Sequence, residues 1–173
     1  FVDRQDLGYV LESSTGYRLP GGNVRSPDVS FVAKGRFGDG VPDDFADLAP
    51  DLAVEVLSPD DRPRAVLDKV GEYLQAGVRL VWVIDPRAGR AAVYRSLTDV
   101  HELTSADGLD GGDILPGFRC GLAEIVKHGR RIANVRVLAW QDDPAKPVAA
   151  GIRNFPTWSS PRRSCSTSGG CVD

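Results

Sequence analysis

Two carboxylates and one lysine are the residues of this sequence whose types and settings could do chemistry. Glu55 lies inside the apolar run LAVEVL at 52–57, which is typical of a buried β-strand, and Asp28 follows Pro27 at the start of a second strand-like segment. Burying an unpaired charge costs several kcal/mol at least, so a buried Glu normally has a cation, a metal ion or a shifted pKa to compensate. The partner of Glu55 must therefore be sought elsewhere in the chain.

The residue types indicate metal-assisted hydrolysis of a phosphodiester. Neighbouring strands lie about 5 Å apart, so adjacent strands could bring Asp28 and Glu55 within reach of one metal ion. Mg²⁺ takes one or two protein carboxylates and keeps several waters for the phosphate oxygens of a substrate. The ammonium of Lys69 could orient or deprotonate the attacking water, or stabilise the pentavalent phosphate as negative charge builds up.

The strand that must position Glu55 is predicted at 52–57. Because side chains alternate along a strand, Glu55 shares one face with Ala53 and Leu57, while Val54 and Val56 point to the other. Glu55 is therefore expected to face a different layer of the protein than the valines do.

The helix that must position Lys69 follows this strand. Asp60 or Asp61 is its expected N-cap, Pro63 lies in its first turn, and Gly77 comes just past its end. Lys69 lies at the edge of the apolar stripe, so its stem could follow the core and carry the ammonium to a carboxylate on the sheet. The stripe follows the helical repeat and comprises Val66, Val70, Tyr73 and Leu74.

The remaining segments predict a mixed sheet packed by at least one helix. The turn signal PGGN follows the second predicted strand, and an acidic loop is expected at 39–47. Weaker signals lie at 103, 114–118 and 122–126. The other predicted strands are 9–12, 17–19, 28–33, 79–85 and 91–95, the last two joined as a hairpin.

From about residue 8 to residue 126 the chain resembles the Uma-two family of restriction endonucleases, a bacterial branch of the PD-(D/E)XK nuclease superfamily. The matching pieces are SSTGYRLPGGNVRSPDVSFV, then DLAVEVLSPDDRPRAVLDKVGEYLQAGVRLVWVIDP, and finally AVYR and DILPGFRCGLAEI. Their order and spacing make the resemblance specific.

This resemblance implies an α/β, restriction-endonuclease-like fold, a mixed β-sheet core flanked by helices, and it assigns roles to four residues. Asp28 would fill the PD aspartate and Glu55 the second acid, and the carbonyl of Val56 would also face the metal. The superfamily's lysine usually sits two residues after the second acid, where this chain has Leu57. The resemblance therefore implies that the lysine comes from the following helix, as Lys69.

The implied activity is that of a magnesium-dependent endodeoxyribonuclease, with Mg²⁺ or Mn²⁺ as cofactor and DNA as substrate. The cytoplasm is the expected location, since no run approaches the roughly 18 apolar residues of a membrane span, and a homodimer is an open alternative. The chain begins at Phe1 and contains no Met. We therefore expect that an N-terminal helix, which would carry a further acidic residue in the family, is missing.

Composition divides the chain into a nuclease domain at 1–126 and a basic tail at 127–173. The tail holds eight Lys or Arg and three Asp, which gives it a net charge of +5. Because the whole chain has a net charge of −3, the domain carries −8. An acidic domain that works on phosphates needs a bound cation. The end of the tail is rich in Ser, Pro, Gly and Arg, which predicts disorder, and IANVRVLAW at 132–140 is its one strand-like piece.

Other readings of the same residues stay open. Glu55 and Lys69 could form only a structural ion pair, and Asp28 could be a plain turn residue. Asp85 before Pro86 favours a turn, and the two histidines favour surface positions. Three cysteines without a CxxC pair are expected to be free thiols, although Cys165 and Cys171 could pair. The protein could then be a silent nucleic-acid-binding or scaffold module with a nuclease fold, or a truncated remnant.

Overall fold

A computed structural model describes residues 1–38, 40–42 and 44–128 of the chain. Three helices are present in these residues: α1 (Val2–Gln5), α2 (Pro63–Gln75) and α3 (Leu122–His128). The strands are β1 (Gly8–Glu12), β2 (Gly16–Arg18), β3 (Val24–Arg25), β4 (Val29–Ala33), β5 (Phe45–Ala46), β6 (Leu52–Val56), β7 (Leu80–Asp85), β8 (Arg90–Tyr94), β9 (Val100–Thr104), β10 (Gly108–Asp110) and β11 (Arg119–Gly121). The tail beyond residue 128, including the predicted strand at 132–140, lies outside the described residues.

A six-stranded mixed sheet forms the centre of the fold, in the order β1-β4-β6-β7-β8-β9. Strands β6 and β7 run parallel, and the other neighbours in this sheet are antiparallel. A parallel pair needs a crossover connection, which α2 supplies. The predicted mixed sheet is confirmed, and the hairpin of β7 and β8 is in place.

The two faces of β6 pack into different layers, as the alternation predicts. Leu52 and Val54 join a core with Trp82 on β7 and Phe118, whose rings stack with centroids 5.8 Å apart. Ala53, on the other face, joins a second core beneath α2. Glu55 therefore faces α2.

Helix α2 presents its predicted apolar stripe to the sheet, but it starts differently from the prediction. Val70 and Tyr73 are buried in the second core. The predicted cap at Asp60 or Asp61 is wrong, because Arg62 is the N-cap residue and Pro63 opens the helix. The carboxylate of Asp61 instead accepts hydrogen bonds from the backbone and hydroxyl of Ser58, at 2.7 and 2.9 Å, and so closes the preceding turn.

Two segments differ from the sequence prediction. The acidic loop contains β5, which pairs in parallel with β2 beside the main sheet. The segment at 114–118 forms turns that place Ile114, Leu115 and Phe118 in the first core. Its apolar residues reflect burial rather than a strand.

Candidate active site

Glu55 is buried, with 6% of its surface exposed, and it has two partners. Its Oε2 accepts a hydrogen bond from Nζ of Lys69 at 2.8 Å, and its Oε1 accepts one from the hydroxyl of Tyr73 at 2.7 Å. Each carboxylate oxygen thus has one donor. The burial of Glu55 is therefore tolerated, because its charge is paired and hydrogen-bonded.

Helix α2 brings both donors to Glu55 because Lys69 and Tyr73 are four residues apart. Side chains at this spacing lie on the same helical face, one turn above the other. The side chain of Lys69 is 37% exposed, so its ammonium lies at the boundary between the core and solvent. Tyr73 is fully buried. Lys69 therefore contacts Glu55 from the solvent side, and Tyr73 contacts it from the core.

The charges at the site act on both donors. The hydrogen bond from Lys69 to Glu55 is the main cause of a raised pKa for the lysine, and the nearby charges of Asp61 and Asp28 add to it. Burial raises the pKa of Tyr73, and the negative charge of Glu55 raises it further. Both groups therefore hold their protons at neutral pH and act as donors.

Asp28 lies immediately before β4 and is tied to β6. Its Oδ2 accepts a hydrogen bond from the backbone N–H of Val56 at 2.7 Å. In the antiparallel pair of β4 and β6, Val29 is opposite Val54. Continuing that register by one residue places Asp28 opposite Glu55, and opposite residues project from the same face of a sheet with Cβ atoms about 5 Å apart.

The structure thus brings together the three residues that the sequence singled out. Asp28 and Glu55 occupy facing positions, and Lys69 contacts Glu55 directly. Val56, the fourth, adjoins them through its backbone N–H, which is bonded to Asp28. The role of its carbonyl as a metal ligand stays a prediction.

The donor set fits a hard divalent cation that keeps much of its hydration. Within the described residues, no group of three or more His, Cys, Asp or Glu is arranged to hold a metal ion. Two carboxylates on neighbouring strands are nevertheless the number that Mg²⁺ commonly uses, with water and substrate oxygens completing its coordination. The absence of nitrogen and sulfur donors from the pair disfavours zinc.

Sequence reasoning missed three participants. The apolar stripe accounts for the ring of Tyr73 but not for its hydroxyl, which its spacing of four residues from Lys69 could have linked to a shared partner. Arg25 and Glu72 form a second ion pair close to the first, with Nε to Oε2 at 2.6 Å and Nη2 to Oε1 at 2.7 Å. No sequence signal links these two residues, which are 47 positions apart.

Three residues that the sequence analysis assigned no catalytic role make contacts outside the candidate site. The carboxylate of Asp85 accepts two backbone hydrogen bonds within its own turn, at 2.9 Å, which confirms the turn. His101 is exposed and lies 3.2 Å from Asp99, so its predicted surface position is confirmed. Cys120 is a free thiol, as predicted.

The mixed sheet and its crossover helix give this protein a restriction-endonuclease-like fold. The chain belongs to the Uma2 family, whose model, described as "Putative restriction endonuclease", matches residues 1–123. The resemblance that the sequence motifs indicated is thereby confirmed.

A solved structure shows the same fold. The chain is similar to the crystal structure of "a putative nuclease belonging to DUF820" from Anabaena variabilis, with a TM-score of 0.64 and 20% sequence identity over 73% of this chain and 72% of that one. A search of curated proteins found no match. None of the helices between residues 1 and 128 is long and apolar enough to cross a membrane.

Proposed function

We propose that this protein is a metal-dependent endonuclease that hydrolyses phosphodiester bonds in DNA. The observation that carries the proposal is the joint placement of Asp28, Glu55 and Lys69, in which Asp28 is bonded to the backbone of β6 next to Glu55 and the lysine contacts Glu55. Membership of a family described as restriction endonucleases supports a nucleic acid substrate. A restriction-type nuclease would meet DNA in the bacterial cytoplasm.

Asp28, Glu55 and the carbonyl of Val56 would hold Mg²⁺ or Mn²⁺. When bound, such an ion polarises a phosphoryl oxygen and lowers the pKa of a bound water. The residues of the chain prepare the site for it. The N–H of Val56 fixes one oxygen of Asp28, and the hydroxyl of Tyr73 fixes the orientation of Glu55.

Lys69 supplies the positive charge of the site. Its side chain is 37% exposed, so the ammonium can reach a substrate while the stem stays packed on the helix. There it would orient the attacking water or stabilise the added negative charge of the pentavalent phosphate.

The charge of the domain supports a requirement for metal. Residues 1–126 carry a net charge of −8, and the carboxylates of the site add to the repulsion of a phosphate. A bound divalent cation would reverse this local repulsion. Cleavage is therefore expected to stop when a chelator removes the metal.

The test is cleavage of supercoiled plasmid by the full chain across a titration of Mg²⁺ and of Mn²⁺. Asp28→Asn, Glu55→Gln and Lys69→Met should each lower the rate by at least 100-fold, in the range found for groups that act in the transition state. Glu102→Gln, which changes an exposed carboxylate on β9, is the matched control and should cut at the parent rate. A Glu55→Gln protein that cuts at the parent rate would end the assignment.

One observation favours a second candidate, a silent nucleic-acid-binding or scaffold module. Both oxygens of Glu55 already have protein donors, which is also the arrangement of a structural ion pair. Such a module would bind DNA with and without metal but would cut it in neither case. The same plasmid titration, with a parallel binding measurement, separates the two functions.

A further inference from the structure

We propose that Arg25 is a phosphate-contacting residue of this site, with Glu72 as the positioning residue that holds its guanidinium in place. The inference rests on the proposed function, because it names the residue that would bind the DNA backbone next to the paired carboxylates. Arg25 lies on β3, three residues before Asp28.

The contact with Glu72 leaves part of the guanidinium available. A guanidinium carries five N–H donors, and the two bonds to Glu72 use one from Nε and one from Nη2. Nη1 and the second N–H of Nη2 take no part in the contact with Glu72. The side chain of Arg25 is 33% exposed. Glu72 therefore binds one edge of the guanidinium, and the other N–H groups remain for a second anion.

Because Arg25 and Glu72 lie next to the carboxylates, a second anion bound by Arg25 would lie at the active site. Glu72 precedes Tyr73 in α2 and follows Lys69 by three residues, so the helix that holds Glu55 also holds Arg25. The bond to Glu72 is the main cause of the raised pKa of Arg25, and the negative charge of Glu55 also raises it.

The small sheet beside the site directs Arg25 inward. Strand β2 pairs with β3 so that Tyr17 is opposite Arg25 and Arg18 is opposite Val24. Tyr17 is fully buried, whereas Arg18 and Val24 lie on the exposed face. Arg25 thus projects from the face that packs towards α2.

The chemistry of the pair suits phosphate rather than a neutral ligand. Guanidinium is planar and always charged, and it binds phosphate oxygens through its fork. A carboxylate partner that fixes its orientation reduces the entropy lost when the substrate binds. Arg25 would then bind a phosphate beside the carboxylates, where the net negative charge of the site otherwise repels DNA.

The experiment measures how salt weakens binding of a short labelled DNA duplex to the full chain, in the presence of a chelator so that no cleavage occurs. Each phosphate contact contributes about 0.9 to the slope of log affinity against log salt. The double variant Arg25→Gln with Glu72→Gln leaves the net charge unchanged. We expect its slope to be smaller than that of the parent by about 0.9.

The pair of Arg18 and Asp47, 3.0 Å apart on the exposed face of the same small sheet, gives the matched control. Arg18→Gln with Asp47→Asn also conserves charge and should keep the parent slope. An unchanged slope in the Arg25 and Glu72 double variant, with a parent that binds DNA, overturns the assignment of Arg25 and leaves the proposed function standing. A parent that binds no duplex, either in the chelator or with Mg²⁺ present, overturns both.

A single variant covers the case in which the double variant fails to fold. Arg25→Gln removes the proposed phosphate contact, so DNA affinity at fixed salt should fall more than it does in Arg18→Gln, which changes the net charge equally at the exposed face. Equal losses in the two variants would show that Arg25 does not contact phosphate.

Discussion

Tyr73 donates its hydroxyl hydrogen to Oε1 of Glu55 at 2.7 Å, from a fully buried position one helical turn beyond Lys69. The hydroxyl of Tyr73 thus occupies one lone-pair site on Oε1, and the ammonium of Lys69 occupies one on Oε2. A carboxylate has about four lone-pair sites, so two remain for a metal ion. Glu55 is therefore held in one orientation before any metal arrives.

Tyr73→Phe should reduce both stability and cleavage. The change removes one hydrogen bond to a buried carboxylate, so the free energy of unfolding should fall by about 2 kcal/mol. Cleavage should also slow, because Glu55 loses the group that fixes its orientation. Tyr17→Phe is the matched control, since the hydroxyl of the buried Tyr17 bonds to Ser30 at 2.6 Å rather than to Asp28 or Glu55. It should lose stability and keep the cleavage rate per folded molecule. Equal rates in the two variants would show that Tyr73 serves stability only.

Lys69→Met should cost more stability than Glu55→Gln. Removing the lysine leaves Glu55 buried with a single neutral donor, and breaking a buried pair in this way costs about 3 kcal/mol. Removing the charge of Glu55 instead leaves Lys69, whose partly exposed ammonium water can still solvate. Chemical denaturation of both variants checks the order. A larger loss for Glu55→Gln would contradict this account of the pair.

Mg²⁺ should stabilise Lys69→Met but not Glu55→Gln. A ligand that binds only the folded state raises the free energy of unfolding, by about 2.7 kcal/mol at 100 times its Kd. Lys69→Met retains both acids and loses the competing ammonium, whereas Glu55→Gln lacks one ligand. The measurement is the denaturation midpoint with and without Mg²⁺. Equal shifts in the two variants would place the metal elsewhere.

The site should prefer Mg²⁺ or Mn²⁺ to Zn²⁺. Its donors are carboxylate oxygens, which suit hard cations, and the pair includes no His or Cys. Calorimetric titration of the full chain with each ion, repeated on Asp28→Asn, checks this. Tight zinc binding that survives Asp28→Asn, with no heat for magnesium or manganese, would count against the site.

Stability should fall between about pH 10 and pH 12 through Tyr17. Burial raises the pKa of Tyr17 to about 12, from 10.0. The folded state therefore keeps a proton that the unfolded state loses, so this contribution is fully present below pH 10 and is lost as pH rises towards 12. A shift of this size corresponds to about 3 kcal/mol. Denaturation of the parent and of Tyr17→Phe at pH 9, 10 and 11 checks it: the parent should lose stability faster, and parallel losses would refute it.

The sequence by itself determined the local elements and the candidate acids. The two-residue period of β6 placed Glu55 on the face opposite Val54, and the helical period of α2 placed Tyr73 in the core. These patterns are readable because burial of apolar surface acts on every turn of a helix and every second residue of a strand. The assignment of Asp28, Glu55 and Lys69 to one site relied on the order of the family's motifs.

Only the tertiary structure decided how these elements meet. The register of β4 against β6, continued by one residue, sets Asp28 opposite Glu55. The alternation along each strand gives the face that a residue occupies but not which residue of the neighbouring strand it meets. One local detail also differed from the pattern, because Asp61 bonds to Ser58 and Arg62 is therefore the N-cap of α2. The pairing of Arg25 with Glu72 requires β3 and α2 to pack together, because hydrogen bonds between side chains far apart in sequence form only when the fold brings them within about 3 Å.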